Sequence, residues 1–492
     1  MRPQNLLFIL SDQHNAQFLG SAGHSVLRTP NLDRLARSGT RFTRATTPCP
    51  ICVPARASLA TGRWVHRVGC WDNAHPYDGT ILSWGHHLLA QGHEVAAVGK
   101  LHYRSDEDAN GFGEKINIMN VLEGVGDRLG LLRHLDHERG AARQLAESAA
   151  SGESTYTRYD REVAAAACDW LARRGTQRPD KPWVLFVGFV MPHLPLVSPD
   201  EFFEMYTAEG LPEPRLYSEK VRPHHPWLDR MTRVIPYDKY FDAERRRTAI
   251  TAYHGMVTFL DHNIGLLLRA LADAGLEGST RVLYTSDHGE MLGNHGIWGK
   301  CCMYEESVGV PLILRGADVP AGALIGTETS LVDCFPTIID AVGANLPNPD
   351  DADLPGRSLL RQLGHTDESR VGFSEYHAVG APSGCFMVRR GRWKLVHYVG
   401  FPPQLFDLAA DPIEANDLGE RPEWASVRDS LFAELWRIVD PEAASAQALA
   451  DQQAKVRQFG GEEAILKIGD FGHTPTPNET PHFERLPDTS EG

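Results

Sequence analysis

No apolar stretch in this chain is long enough to cross a bilayer, and no run of lysine and arginine offers a track for nucleic acid. Positive charge is the scarcer kind: 49 Lys and Arg stand against 64 Asp and Glu, a formal net charge of -15. That balance argues against nucleic acid or an anionic membrane surface as the main partner. An anionic substrate would have to be drawn in by a local cationic pocket, because the global field opposes it. Cysteine is sparse and unpatterned. The eight (Cys49, Cys52, Cys70, Cys168, Cys301, Cys302, Cys334 and Cys385) show no framework spacing. Cys49-x-x-Cys52 has no second Cys-x-x-Cys or His pair to complete a zinc site. Reduced thiols in a cytoplasmic compartment are expected. The apolar run Leu6 to Leu10 is too short for a secretory signal core, which points the same way. What is present is ordinary globular composition, 42% hydrophobic over 492 residues, enough for a sizeable core and about two to four domains.

The chain is organised around Cys52-Val53-Pro54-Ala55-Arg56-Ala57-Ser58-Leu59-Ala60-Thr61-Gly62-Arg63. Pro54 suits the first turn of a helix, where a missing N–H is tolerated. Ala55 to Ala60 are small and favour a helix, and Gly62 supplies the stop. Cys52 is thereby placed at a helix N-terminus, where unpaired N–H groups and the positive dipole end favour an anion. Arg56, one turn on, adds a fixed positive charge at the same spot. A nucleophile in that position is what attack on a sulfate or phosphate ester requires.

Short apolar runs at 6–10, 95–98, 183–190 and 281–285 predict strands buried on both faces, as in a parallel sheet. Each is followed by residues capable of chemistry. Asp12 and Gln13 follow the first; Lys100 and His102, sharing one face of an extended segment, follow the second. His193, between Pro192 and Pro195, follows the third, and Asp287-His288 the fourth. Ligands of open α/β sheets bind outside the carboxyl ends of the strands. Asp and His in tandem there suit a hard metal with one imidazole ligand. Helical patterns cover 29–36, 81–90, 137–150, 160–174, 243–274 and 330–342.

Cys52-x-Pro54-x-Arg56 followed by Thr61-Gly62 resembles the signature of type I sulfatases, in the alkaline phosphatase superfamily. Gly99-Lys100-Leu101-His102, Pro192-His193-Leu194-Pro195, Ser286-Asp287-His288-Gly289-Glu290 and Trp298-Gly299-Lys300 resemble further motifs of that family, in the family's order. The resemblance implies an α/β fold of the alkaline phosphatase type: a mostly parallel central sheet flanked by helices, with a smaller C-terminal antiparallel-sheet subdomain. It implies that Cys52 is oxidised by a formylglycine-generating enzyme, the hydrate of formylglycine being the nucleophile. One divalent cation, calcium by analogy with magnesium and manganese as alternatives, would be bound by Asp12, Gln13, Asp287, His288 and an oxygen of modified Cys52. Arg56 would fix the hydrate. Lys100, His193 and Lys300 would neutralise charge on the transferred group, His193 or Lys300 protonating the leaving alcohol or phenol. His102 would take a proton from the remaining hydroxyl, so that the hemiacetal collapses to aldehyde and expels sulfate. Asn73 matches a position that contacts the transferred group, an ordinary Asx-turn being its alternative. Glu375 matches a position that faces the substrate cation in choline sulfatases, its alternative being a surface residue. Asp12-Gln13 and Asp287-His288 resemble the choline sulfatase and phosphonate monoester hydrolase branches. Lys100-x-His102, where the phosphonate branch carries Tyr-x-Thr, favours sulfate.

Beyond a Pro- and Asp-rich linker at 346–355, strand-like segments at 386–389, 393–398 and 404–407 and an amphipathic helix at 424–439 predict the smaller subdomain. The expected parse is a catalytic α/β domain over 1–365, an α+β subdomain over 366–445, and an extended tail over 446–492 that packs on a neighbouring subunit of a dimer or tetramer. Segment 111–157 is Gly-, Ala- and charge-rich and segment 202–240 has no sustained period; both are read as specificity loops near the pocket. The expected reaction is hydrolysis of a small sulfuric ester, aryl or alkyl. Two alternatives stand beside it: a phosphonate monoester hydrolase or phosphodiesterase with the same centre, and a non-catalytic metal-binding relative.

Overall fold

Leu6, Leu7, Phe8, Ile9 and Leu10 are all at most 1% exposed, a burial on both faces that belongs to the middle of a covered sheet. Alternation sends Leu7 and Ile9 into one hydrophobic core and Leu6, Phe8 and Leu10 into another. The computed structural model describes residues 2–133, 138–177, 179–207, 210–346, 351–481 and 483–484. Its strands are β1 (Asn5–Ser11), β2 (Thr40–Thr46), β3 (Val95–Lys100), β4 (Glu114–Met119), β5 (Ala150–Ser151), β6 (Val184–Gly188) and β7 (Val197–Ser198). They continue with β8 (Thr280–Ser286), β9 (Leu312–Arg315), β10 (Ala323–Ser330), β11 (Gly372–Tyr376), β12 (Cys385–Arg390), β13 (Trp393–Tyr398) and β14 (Gln404–Asp407).

The main sheet has eight strands in the order β10-β2-β9-β8-β1-β6-β3-β4. Every neighbouring pair is parallel except the two made by β9. Helices Thr155–Gly175 and Ala243–Asp273 cover one face, the latter burying Tyr253, Val257, Leu260, Ile264 and Leu267 at three-four spacing. Cys52–Thr61 and Cys334–Val342 lie on the other face. Each such side chain contributes about 1.5–3 kcal/mol through burial, and the two cores hold the carboxyl ends of β8, β1, β6 and β3 side by side. Two glycines set the spacing of the last pair. A Cβ on Gly188 of β6 would lie 2.1 Å from the Lys100 carbonyl oxygen, and one on Gly99 would lie 2.3 Å from the Gly188 oxygen.

A second sheet, β11-β12-β13-β14, is an antiparallel meander, with Gly391 at φ 61° turning β12 into β13. Helix Ala425–Ile438 covers it with Leu431 and Leu435. The fold is thus the alkaline phosphatase-like arrangement expected, a mostly parallel helix-flanked sheet with a smaller antiparallel one.

Some expectations need correction. The stretch expected to be extended from 446 onward begins inside helix Pro441–Gln458, and Glu462–Ile468 is a second helix. The first has a strong start, Asp440 capping the Ala443 N–H with Pro441 following, and an alanine-rich interior. Residues 470–474 fold back onto their own chain: Arg139 binds Asp470, and Thr474 meets His102. The aperiodic 202–240 segment contains helix Pro226–Val234. The helix expected at 137–150 is Ala141–Ser148; residue 137, like 347–350 of the expected linker, lies outside the described residues. Among the described residues no helix is long and apolar enough to cross a membrane.

Candidate active site

The helix Cys52–Thr61 is buried along its whole length and ends at Gly62, whose φ of 68° makes the left-handed stop that glycine adopts without strain. Cys52 opens it and is 1% exposed. Asn73 Oδ1 accepts the Val53 N–H at 3.1 Å, satisfying one of the orphan donors of this helix start.

Around Cys52 the strand ends converge. Asp12 and Gln13 leave β1, Lys100 closes β3, His193 follows β6, and Asp287 and His288 follow β8. Cys52 Sγ lies 3.1 Å from His288 Nε2 and 3.6 Å from Asp12 Oδ1. One ligand atom from each of Asp12, Cys52, Asp287 and His288 falls within 4.8 Å of all the others, and all four residues are buried. Arg56 donates from Nε to Asp287 (2.8 Å), from Nη2 to Asp12 (3.2 Å) and from Nη1 to the Lys100 carbonyl (2.9 Å). Lys100 Nζ sits 2.7 Å from Asp12. Two buried carboxylates thus carry two buried cations, which is what allows charge to persist there. Burial opposes the Asp12 charge, but the Lys100 and Arg56 cations hold its carboxyl well below the usual range. Arg56 spends its guanidinium on the acids, so its hold on the Cys52 position runs through Asp12 and Asp287.

The proton positions follow from the carbonyl partners. His288 Nδ1 lies 3.1 Å from the Gly289 carbonyl, which can only accept, so Nδ1 carries the hydrogen and the Nε2 lone pair faces the cluster. Burial lowers its pKa to about 4, keeping the ring neutral. His193 follows the same logic: Nδ1 donates to the Leu194 carbonyl at 2.7 Å, and Nε2 accepts from Lys300 Nζ at 2.9 Å. Lys300 also donates to Gln13 Oε1 at 2.5 Å. Burial pushes the Cys52 thiol up to about 12, with the Asp12 charge adding to the effect. An unmodified thiol is therefore a poor nucleophile here.

The donor set fits one divalent cation: two carboxylates and a neutral imidazole with its lone pair inward, buried and pre-assembled. Sulfur is the odd donor among hard oxygens, and an oxygen-bearing formylglycine side chain at Cys52 would complete the set. Cys52, Asn73, Lys100, His102, His193 and Lys300 line the adjoining cavity.

Glu375 is elsewhere. It is fully buried, accepts from the His66 backbone N–H at 3.0 Å, and pairs with His66 Nδ1 at 2.9 Å and His377 Nε2 at 3.1 Å. It does not line the cavity. Neither the substrate-facing expectation nor surface placement holds, because a buried carboxylate has been given donors of its own.

Several residues escaped sequence reading. Glu290 binds the Gln13 amide nitrogen and accepts the Leu292 and Gly299 N–H groups, each at 2.7 Å, so it fixes which way the Gln13 oxygen points. It lies within a quoted motif, but nothing local signals the contact. Asp160 accepts the Val190 and Met191 N–H groups at 2.9 Å each, anchoring the turn that carries His193. Arg139, Asp470, His473 and Thr474 also line the cavity or brace its wall, and no motif marks them.

Comparison with known proteins agrees with this geometry. The family described as Sulfatase matches residues 4–344, and that described as N-sulphoglucosamine sulphohydrolase, C-terminal, matches residues 293–440. The choline-sulfatase of Rhizobium meliloti (strain 1021) is 30% identical over 429 residues, 85% of this chain and 83% of that protein. Arylsulfatase K of Mus musculus is 28% identical over 495 residues, 94% of this chain and 82% of that protein. Among solved structures, the phosphonate monoester hydrolase of Agrobacterium radiobacter superposes with a TM-score of 0.72 at 26% identity, covering 90% of this chain and 96% of that one. A match over more than half its length, with a buried Asp-Cys-Asp-His cluster at the expected strand ends, means that the chain belongs to the sulfatase family.

Proposed function

We propose that this protein hydrolyses a small sulfuric acid monoester, using formylglycine made from Cys52 as its nucleophile. The observation that carries the reading is the placement of Cys52: first residue of a buried helix, inside a metal-type cluster, beside Lys100 and Lys300. A divalent cation held by Asp12, Asp287, His288 and the modified Cys52, with Gln13 as a further oxygen, would polarise a sulfuryl oxygen and acidify the nucleophilic hydroxyl. The chain's own groups do the rest. Arg56 keeps both acids ionised and aimed. Lys100 and Lys300 balance charge on the group in transfer. Lys300 or His193 gives a proton to the departing oxygen; in the resting site Lys300 holds the proton and donates its hydrogen bond to His193 Nε2. His102 is the base that reopens the aldehyde.

A phosphonate monoester or phosphodiester is the second reading, favoured by Asp12-Gln13 and Asp287-His288 and by likeness to the phosphonate hydrolase structure. Lys100 and His102 favour sulfate. The test has two parts. The Cys52 peptide, from protein made with a converting enzyme, should weigh roughly 18 Da less than the cysteine form. Turnover of an aryl sulfate, a phosphonate monoester and a phosphodiester should then rank sulfate first. Activity with an unmodified cysteine would overturn the nucleophile, and phosphonate ranked first would overturn the substrate.

The same reading includes a cytoplasmic setting, which eight free cysteines support. It includes a formylglycine-generating enzyme as partner and assembly into a dimer or tetramer, checked by light scattering. Its catalytic domain spans 1–365 and its α+β subdomain 366–445, a division supported by the separate sheets.

A further inference from the structure

Residues 470–474 belong to the active-site cavity. Phe471, His473 and Thr474 line it together with Cys52, Lys100 and His102. The segment is fastened at several points. Arg139, its side chain 8% exposed, binds Asp470 at 2.7 Å and Asp127 at 2.8 Å at the same time. Asp470 also forms a β-bridge with Glu484. The Tyr156 hydroxyl donates to the Thr474 carbonyl at 2.5 Å, and the Tyr156 ring meets His473 edge-on at 5.2 Å. Held this way, Thr474 Oγ1 lies 2.8 Å from His102 Nε2, across 372 positions of sequence. The other ring nitrogen, His102 Nδ1, is buried without a hydrogen-bond partner.

We propose that Thr474 is a positioning residue for His102: its hydroxyl accepts the Nε2 hydrogen and so fixes the tautomer whose Nδ1 lone pair is free to take a proton. The C-terminal segment therefore completes the site within one chain. The inference rests on the formylglycine reading above, in which His102 serves the second half of the reaction. There Nδ1 takes the proton of the remaining hydroxyl, the aldehyde C=O forms, and the bond from that carbon to the sulfate oxygen breaks. Sulfate leaves with the electron pair, the imidazolium returns its proton to solvent, and water adds to the aldehyde. Without the Thr474 hydroxyl the ring is free to rotate or to carry its hydrogen on Nδ1, and this half slows. An orienting partner of this kind is worth about ten- to a hundredfold in activity.

The kinetic signature separates positioning from wall-building. Slowing only the second half lowers kcat and KM together and leaves kcat/KM unchanged, whereas a damaged wall raises KM and lowers kcat/KM. Thr474→Val removes the hydroxyl at nearly constant shape, and Thr474→Ser keeps it. On formylglycine-bearing enzyme, the valine variant should lose about ten- to a hundredfold in kcat with KM falling in step. Its quenched Cys52 peptide should accumulate a species roughly 80 Da heavier than the formylglycine hydrate, or about 98 Da heavier than the aldehyde, the trapped sulfate. The serine variant should restore most of the rate. Thr474→Ala repeats the measurement if the valine variant does not fold, as judged by its melting temperature. An unchanged kcat, a fall in kcat/KM with raised KM, or a serine variant as slow as valine would overturn the proposal. Wild-type enzyme assayed in parallel, with its Cys52 peptide mass, tests the underlying reading separately.

Discussion

Replacing Asp160 by asparagine should change how stability depends on pH, and the structure gives the sign. Asp160 is fully buried on helix Thr155–Gly175, and its two carboxylate oxygens accept the Val190 and Met191 N–H groups. Burial moves its pKa from an ordinary 3.8 up to about 7, the two backbone donors offsetting only part of the shift. A carboxyl with a raised folded-state pKa contributes stability fully present below its unfolded pKa and lost as pH rises through the folded one. At about 1.4 kcal/mol per pKa unit, wild type should lose about 2–3 kcal/mol on this account between pH 5 and pH 8. Asparagine does not titrate. It keeps one acceptor and orphans one buried N–H, which costs about 1–3 kcal/mol at every pH. The variant should be the less stable protein at pH 5 and close to wild type at pH 8. Urea denaturation at one-unit intervals measures the gap. A gap that stays constant, or that widens with rising pH, would refute the reasoning. Asp160→Ala orphans both N–H groups and should also lower kcat, because the turn they brace carries His193.

Three further outcomes follow from the site. Cys52→Ser can accept a sulfuryl group but has no second hydroxyl to expel it. Steady-state activity should fall by at least about 10³-fold while roughly one product per site is released, as read by a burst assay and peptide mass. Chelation should abolish turnover and a divalent cation should restore it, yet the chelated protein should stay folded by circular dichroism, because Arg56 and Lys100 already balance Asp12 and Asp287. Gly188→Ala should cost at least about 2 kcal/mol in denaturation and lower kcat, since its Cβ meets the Lys100 carbonyl at 2.1 Å and parts β6 from β3.

Legibility in the sequence depended on range. Leu6–Leu10 announces β1 because both of its faces are buried, and Asp12 and Gln13 take their meaning from ending it. The helix of Cys52 is written in its own residues, from Pro54 to Gly62. What could not be read is pairing between distant segments. β9 reverses direction inside an otherwise parallel sheet, and no residue of Leu312–Arg315 says so. Glu375 lies 309 positions from His66 and is buried by that partnership. Thr474 looks like an ordinary residue of a polar tail until Arg139 and Tyr156 bring it to His102. The carriers of chemistry sit at the ends of local elements and are visible there. Their supports come from elsewhere and leave no local trace.

The depth of Cys52 imposes an order on the making of this protein. At 1% exposed, within a helix buried from end to end, its sulfur is out of reach of another enzyme's active site once the fold has closed. On the formylglycine reading proposed above, conversion to the aldehyde would therefore come first, while residues around 52 are still an accessible strip of chain, and folding would then seal the product in. A growing chain carries the Cys52 segment hundreds of residues before it can assemble the wall beside His102.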